Sequence, residues 1–172
     1  MVCRSCLTDP STLLIVDTSV AINLNATRVS ENILNALPNR VVVTEQVYFE
    51  LENGRPAGIN NSDTTSALVE ANHVELGRLG EVGMRLFESL VVGRASETLD
   101  DGEAATIAYA IEHKATALID ERKANRICLE RFPQLRTGCT VDLLAHPSVH
   151  GALGKEKLSL AVFYALYDGR MR

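Results

Sequence analysis

Asp17 and Asp120 stand in matching settings. Each ends a largely apolar run, Leu13-Leu14-Ile15-Val16 and Ala115-Thr116-Ala117-Leu118-Ile119, and each precedes a segment with helical character. A run of that kind reads as a buried strand of a parallel sheet. Open α/β sheets place their chemistry at the carboxyl ends of such strands. Two further acids can reach that edge: Glu50 in Tyr48-Phe49-Glu50-Leu51, and Glu103 in Asp100-Asp101-Gly102-Glu103-Ala104. Crowded carboxylates repel one another, and burying them unpaired costs several kcal/mol. A divalent cation removes that cost. Mg²⁺ and Mn²⁺ favour oxygen donors, and such an ion acidifies water and stabilises charge growing on a phosphate. An acidic quartet without histidine or cysteine therefore suggests metal-dependent phosphodiester hydrolysis.

Each acid also has a plainer reading. Asp17 can N-cap the helix after it, helped by Thr18 or Ser19. Glu103 can belong to a capping box with Asp100 or Asp101. Glu45 and Glu52 compete with Glu50, although Glu52 beside Asn53-Gly54 looks like a solvated helix end. Arg122, Lys123 and Arg126 follow Asp120 and would hold flanking phosphates. Their plainer reading is a solvated face paired with Glu121 and Glu130. His73, His113, His146 and His150 share no ligand or triad spacing and are read as surface or core residues. Ser19 lacks a nucleophile-elbow context. It also occupies the place where an aspartyl-phosphate phosphatase would carry its second aspartate. Tyr164 and Tyr167 are read as packing or interface residues.

Strands and helices must bring the acids together. After the first strand, Val20 to Asn25 reads as a helical turn and Glu31 to Leu37 as a helix stopped by Pro38-Asn39. Arg40 to Val43 is a second strand, and Thr44 caps a helix over Glu45 to Glu52 that ends at Asn53-Gly54. Arg55 to Asn61 reads as a loop, followed by a helix from Ser62-Asp63 toward Ala71. His73 to Leu76 is a strand and Leu79 to Val92 a helix. Thr98 to His113, rich in alanine, has the strongest helical propensity. Ala115 to Ile119 is a strand, Glu121 to Phe132 a helix, and Leu135 to Thr140 holds a last short strand. Val141 to Leu144 begins a helix, and Lys155 to Tyr167 is an amphipathic helix. This alternation predicts right-handed βαβ crossovers: an α/β protein, a three-layer αβα sandwich with a central, mostly parallel sheet.

The 172 residues suffice for one domain with a substantial core, with residues 1–11 as a flexible tail and residues 155–169 as the closing helix. A hydrophobic fraction of 46% with 23% charged residues is ordinary for a soluble protein, and no apolar run predicts a membrane span or a signal peptide. The expected location is cytoplasmic. A net charge of −5 argues against a protein that simply coats nucleic acid, but suits a carboxylate cluster that binds metal. Cys3 and Cys6 have the spacing of half a zinc site, but Cys128 and Cys139 do not supply the other half.

Val16-Asp17-Thr18-Ser19-Val20, Glu50-Leu51, Gly102-Glu103-Ala104 and Leu118-Ile119-Asp120-Glu121 come in the order and rough spacing of PIN-domain proteins. From Leu13 to Leu144 the chain resembles that family, and within it the group with D-x-G-E-A and D-[DE]-x-x-A motifs. The resemblance implies an Mg²⁺- or Mn²⁺-dependent ribonuclease, with Asp17, Glu50, Glu103 and Asp120 as catalytic and metal-binding acids. It implies Thr18 or Ser19 as support, with Asp100, Asp101 and Glu121 as reserve acids. The partners it implies are an RNA substrate, a cognate antitoxin and a second copy of the chain. Two departures accompany it: Leu118 stands where many toxins of the family carry Thr or Ser, and the third acid is glutamate. Many members of this subgroup are described only as predicted nucleic-acid-binding proteins, so a catalytically silent binding or assembly module is the alternative.

Overall fold

The computed structural model describes Leu7, residues 9–54, residues 61–169 and Met171. The strand β1 (Leu14–Val16) is buried at all three residues. A strand apolar on both faces belongs inside a sheet, and β1 has a neighbour on each side. Outward on one side lie β2 (Val41–Thr44) and β3 (Glu75–Gly77). On the other lie β4 (Thr116–Leu118) and β5 (Arg136–Gly138). The order is β3-β2-β1-β4-β5 and every pairing is parallel.

Side chains alternate across the sheet. Leu14 and Val16 join Val41, Val43 and Leu118 on one face, where α1 (Thr18–Ala26), α2 (Ser30–Ala36), α3 (Glu45–Asn53) and α4 (Asn61–Glu70) pack. Ile15 joins Val42, Ala117 and Ile119 on the other, covered by α5 (Glu81–Val91), α6 (Asp101–Glu112) and α7 (Arg122–Arg131). The last helices, α8 (Thr140–Leu144) and α9 (Pro147–Tyr167), return to the first face through Leu143, Leu144, Val149, Leu153 and Leu158. This is the predicted three-layer α/β architecture, with the sheet parallel throughout. Among the described residues no helix is long and apolar enough to cross a membrane.

Boundaries differ in three instructive places. The turn expected after β1 is a nine-residue helix, because Asp17 caps it and seven of its residues are buried. The alanine-rich helix begins at Asp101 rather than Thr98, because Asp100 is its N-cap. The closing helix expected from Lys155 is preceded by a helical segment from Pro147, and Gly154 breaks the two at φ 69°. That left-handed backbone is costly for any residue with a Cβ.

The expected tail of residues 1–11 is partly anchored: Leu7 is buried in the core, and Asn39 Nδ2 donates to the Asp9 and Thr12 carbonyls at 2.7 and 2.9 Å. Residues 1–6 and 8, with Cys3 and Cys6, lie outside the described residues, as do residues 55–60 of the expected loop.

Candidate functional site

The strand order runs outward from β1 in one direction and then, from β4, in the other. The crevice at that reversal is where open α/β sheets bind ligands. Asp17 follows β1 and Asp120 follows β4. The register Val16↔Leu118 holds the two strand ends side by side, and the Asp17 N–H donates to the Leu118 carbonyl at 3.1 Å.

Asp17 is completely buried. Its Oδ1 accepts the Val20 N–H at 2.7 Å, so the capping reading holds for one oxygen. Its Oδ2 is buried without a hydrogen-bond partner. Burial pushes this carboxyl up to about 8, and the charges of Asp120 and Glu103 push the same way. The Val20 and Asp120 amides oppose the rise without cancelling it.

Glu50 reaches the rim from the middle of α3. Its Oε2 accepts the Thr18 hydroxyl, and its Oε1 accepts the Gly102 N–H at 2.7 Å. One carboxylate thus joins the first turns of α1 and α6, where unpaired amides favour negative charge. Gly102 leaves no room for a side chain: a Cβ there would come within 2.5 Å of Glu50 Oε2. Glu103, the next residue, accepts the Asp100 N–H at 3.4 Å within a capping box, as its plainer reading anticipates. Burial raises its carboxyl to about 7, with Asp100 and Glu121 adding repulsion and Lys123 opposing it.

Asp120 is held by three donors. Its Oδ1 accepts the Thr140 N–H at 2.9 Å; its Oδ2 accepts the Thr140 hydroxyl and Asn23 Nδ2, the latter at 2.7 Å. Asn23 and Thr140 are fully buried and did not emerge from the sequence. The available signal was an asparagine inside the apolar stretch Val20-Ala21-Ile22-Asn23-Leu24, a position where a polar side chain needs a buried partner.

The remaining expected residues are placed as follows. Thr18 contacts Glu50, whereas Ser19 makes no recorded contact with an acid. Asp100, Asp101 and Glu121 are exposed at the ends of α6 and α7. Lys123 Nζ donates to the Ala95 carbonyl at 2.7 Å; Arg126 donates to the Ser96 carbonyl at 3.1 Å and pairs with Glu130 at 3.0 Å. Both therefore pin the segment between α5 and α6, and Arg126 follows its plainer reading as well. Arg122 is exposed. Glu45 pairs with Arg78, away from the quartet's hydrogen bonds. Of the histidines, His146 caps α9, His113 stacks on Tyr109 and His73 faces Glu31. Tyr164 lies under the Arg28 guanidinium, a packing role.

Among the described residues, no group of three or more His, Cys, Asp or Glu side chains has the geometry of a formed cation site. Glu50 and Asp120 instead rest on neighbouring donors. The chemistry of the set nevertheless suits a hard cation. Its donors are all oxygens, and the orphaned Asp17 Oδ2 is a buried acceptor that lacks a positive partner.

A family model described as a PIN domain matches residues 13–158. A solved structure, VapBC2 from Rickettsia felis bound to a DNA fragment from their promoter, is similar at 16% identity and a TM-score of 0.52. The match covers 74% of this chain and 98% of that one. That likeness concerns the fold. No curated protein matches the chain.

Proposed function

The chain belongs to the PIN-domain family, and on that premise we propose that it is an endoribonuclease that uses Mg²⁺ or Mn²⁺ to hydrolyse RNA phosphodiester bonds. The observation that carries this reading is the meeting of acids at one rim: Asp17, with its unpartnered Oδ2, beside Asp120, and Glu50 bonded to residues adjoining Asp17 and Glu103. Asp17, Glu50, Glu103 and Asp120 would hold the cation. When bound, such an ion supplies charge neutralisation and a more acidic water. Asp17 and Glu103, whose carboxyls burial raises, would have to be ionised to hold it. Asp120 is kept in place by Asn23 and Thr140, and Glu50 by Thr18 and Gly102. Arg122, exposed two residues beyond Asp120, would meet a flanking phosphate; Lys123 and Arg126 could do so only by releasing the Ala95 and Ser96 carbonyls.

The test compares RNA cleavage by wild type and Asp17→Asn in Mn²⁺ and in EDTA. We expect a loss of at least 100-fold in the variant, in keeping with removal of a group that holds the metal. Equal metal-dependent rates in the two proteins would sink the reading.

The second reading is a binding or assembly module without turnover. It is favoured by Glu50, both of whose oxygens are already engaged within the chain. RNA binding that persists in EDTA, with no cleavage in Mn²⁺, would establish it. The family likeness supports extending the proposal to a cognate antitoxin and a cytoplasmic location. A homodimer is part of the same proposal, and the exposed Leu160, Phe163 and Leu166 of α9 offer it a face.

A further inference from the structure

We propose that Asn23 and Thr140 are positioning residues that aim Asp120, and that Gly169 beyond the end of α9 backs Asn23 from behind. This rests on the reading above, in which Asp120 holds the cation.

Three observations carry it. First, every recorded hydrogen bond to the Asp120 carboxylate comes from this pair, through the Thr140 amide, the Thr140 hydroxyl and Asn23 Nδ2. A carboxylate accepting on both oxygens cannot rotate without breaking bonds. Second, the pair is bound to itself. Asn23 Nδ2 also lies 3.3 Å from Thr140 Oγ1, so that hydroxyl accepts from Asn23 while donating to Asp120. This fixes the amide's orientation, since an ionised carboxylate can only accept. Third, both residues are completely buried, so no solvent competes for these donors.

Gly169 completes the arrangement. A Cβ there would come 2.4 Å from the Ala165 carbonyl oxygen and 2.6 Å from Asn23 Oδ1, so the backbone at this point sits close against the far side of the amide. Arg28 and Asp168 pair at 2.9 Å immediately before it, tying the end of α9 to the region just after α1. The chain's last helix, though far from Asp120 in sequence, thereby bears on it through one side chain. Partners that orient a ligating carboxylate typically change metal affinity 10- to 100-fold when removed.

The experiment measures Mn²⁺ affinity by electron paramagnetic resonance, with RNA kinetics alongside. The proteins are wild type, Thr140→Val, Thr140→Ser, Asn23→Leu and Gly169→Ala, each checked for folding by circular dichroism. Thr140→Val removes the hydroxyl at nearly constant shape, and Thr140→Ser restores it. We expect Thr140→Val and Asn23→Leu to weaken Mn²⁺ about 10-fold or more, Thr140→Ser to stay within about twofold, and Gly169→Ala to fall between. In kinetics kcat should drop while KM for RNA holds. Wild-type affinity in a folded Thr140→Val protein overturns the proposal, as does a Thr140→Ser loss equal to that of Thr140→Val. Thr140→Val decides the matter if Asn23→Leu does not fold. A wild-type protein that takes up no Mn²⁺ overturns the metal reading itself, and this inference with it.

Discussion

Asp17 serves two purposes whose demands conflict. As the cap of α1 it must sit at the first turn, and as a strand-end acid it must be buried; together these leave Oδ2 without a donor. The result is a carboxyl raised from 3.8 to about 8. Between those values the folded protein holds a proton that the unfolded chain has released. Stability in the absence of metal therefore falls as pH rises from about 4 to about 8, and levels off outside that window. Glu103, raised to about 7, acts in the same direction. Asparagine caps helices as well as aspartate does and carries no charge. Asp17→Asn should thus give a flatter profile, and a protein more stable than wild type at pH 8 in EDTA. Urea midpoints taken from pH 5 to 9 would show it; parallel profiles for the two proteins would contradict the burial argument. Asp17 and Asp120 were legible in the sequence because a strand followed by an acid is a local pattern. Asn23 and Thr140 were not, because their significance lies in a contact between α1 and the start of α8. Gly102 resisted for a related reason: the approach of Thr18 from α1 and Glu50 from α3 explains why a Cβ is excluded there.

The elements hold one another by side chains that cap foreign helices. Glu112, near the end of α6, accepts the Gly80 N–H at 3.0 Å at the start of α5. Partial burial works against its charge, but the amides of Gly80, Gly83 and Val82 outweigh this and lower its carboxyl. Glu112→Ala should destabilise the protein by about 1 kcal/mol, the usual cost of a lost cap, as read by urea denaturation at pH 7. A change below a few tenths would mean that apolar packing alone docks α5 on α6. Lys123 and Arg126 show the same habit, with α7 holding carbonyls of the segment between α5 and α6. Helices and strands were readable from periodicity and caps. The cross-element duties of these charged residues were not, because a cation on a helix face looks the same whether it faces solvent, a phosphate or a distant carbonyl.

At the scale of the whole molecule, the two halves of the fold meet along β1. The parallel sheet and its helical layers were legible from alternation alone, since strands joined by helices return in one direction. The two-part α9 was less so: Pro147 opens one segment, Gly154 breaks it, and only the second has a long apolar stripe. That second segment buries Leu158, Ala161 and Ala165 and leaves Leu160, Phe163 and Leu166 more than half exposed, with Phe163 stacked on Tyr167 at 5.6 Å. If this face joins two copies, Leu160→Lys with Phe163→Lys should convert a dimer to a folded monomer in light scattering at micromolar concentration. A wild-type monomer under those conditions removes the homodimer. The central position of β1 also bears on how the protein is made. Asp17 leaves the ribosome first, and its neighbour Asp120 and the Thr140 that secures it follow only after most of the intervening fold. At about 5–20 residues per second that delay is on the order of ten seconds. On the proposed reading, the acid rim is incomplete, and so without action on RNA, until that stretch has been made.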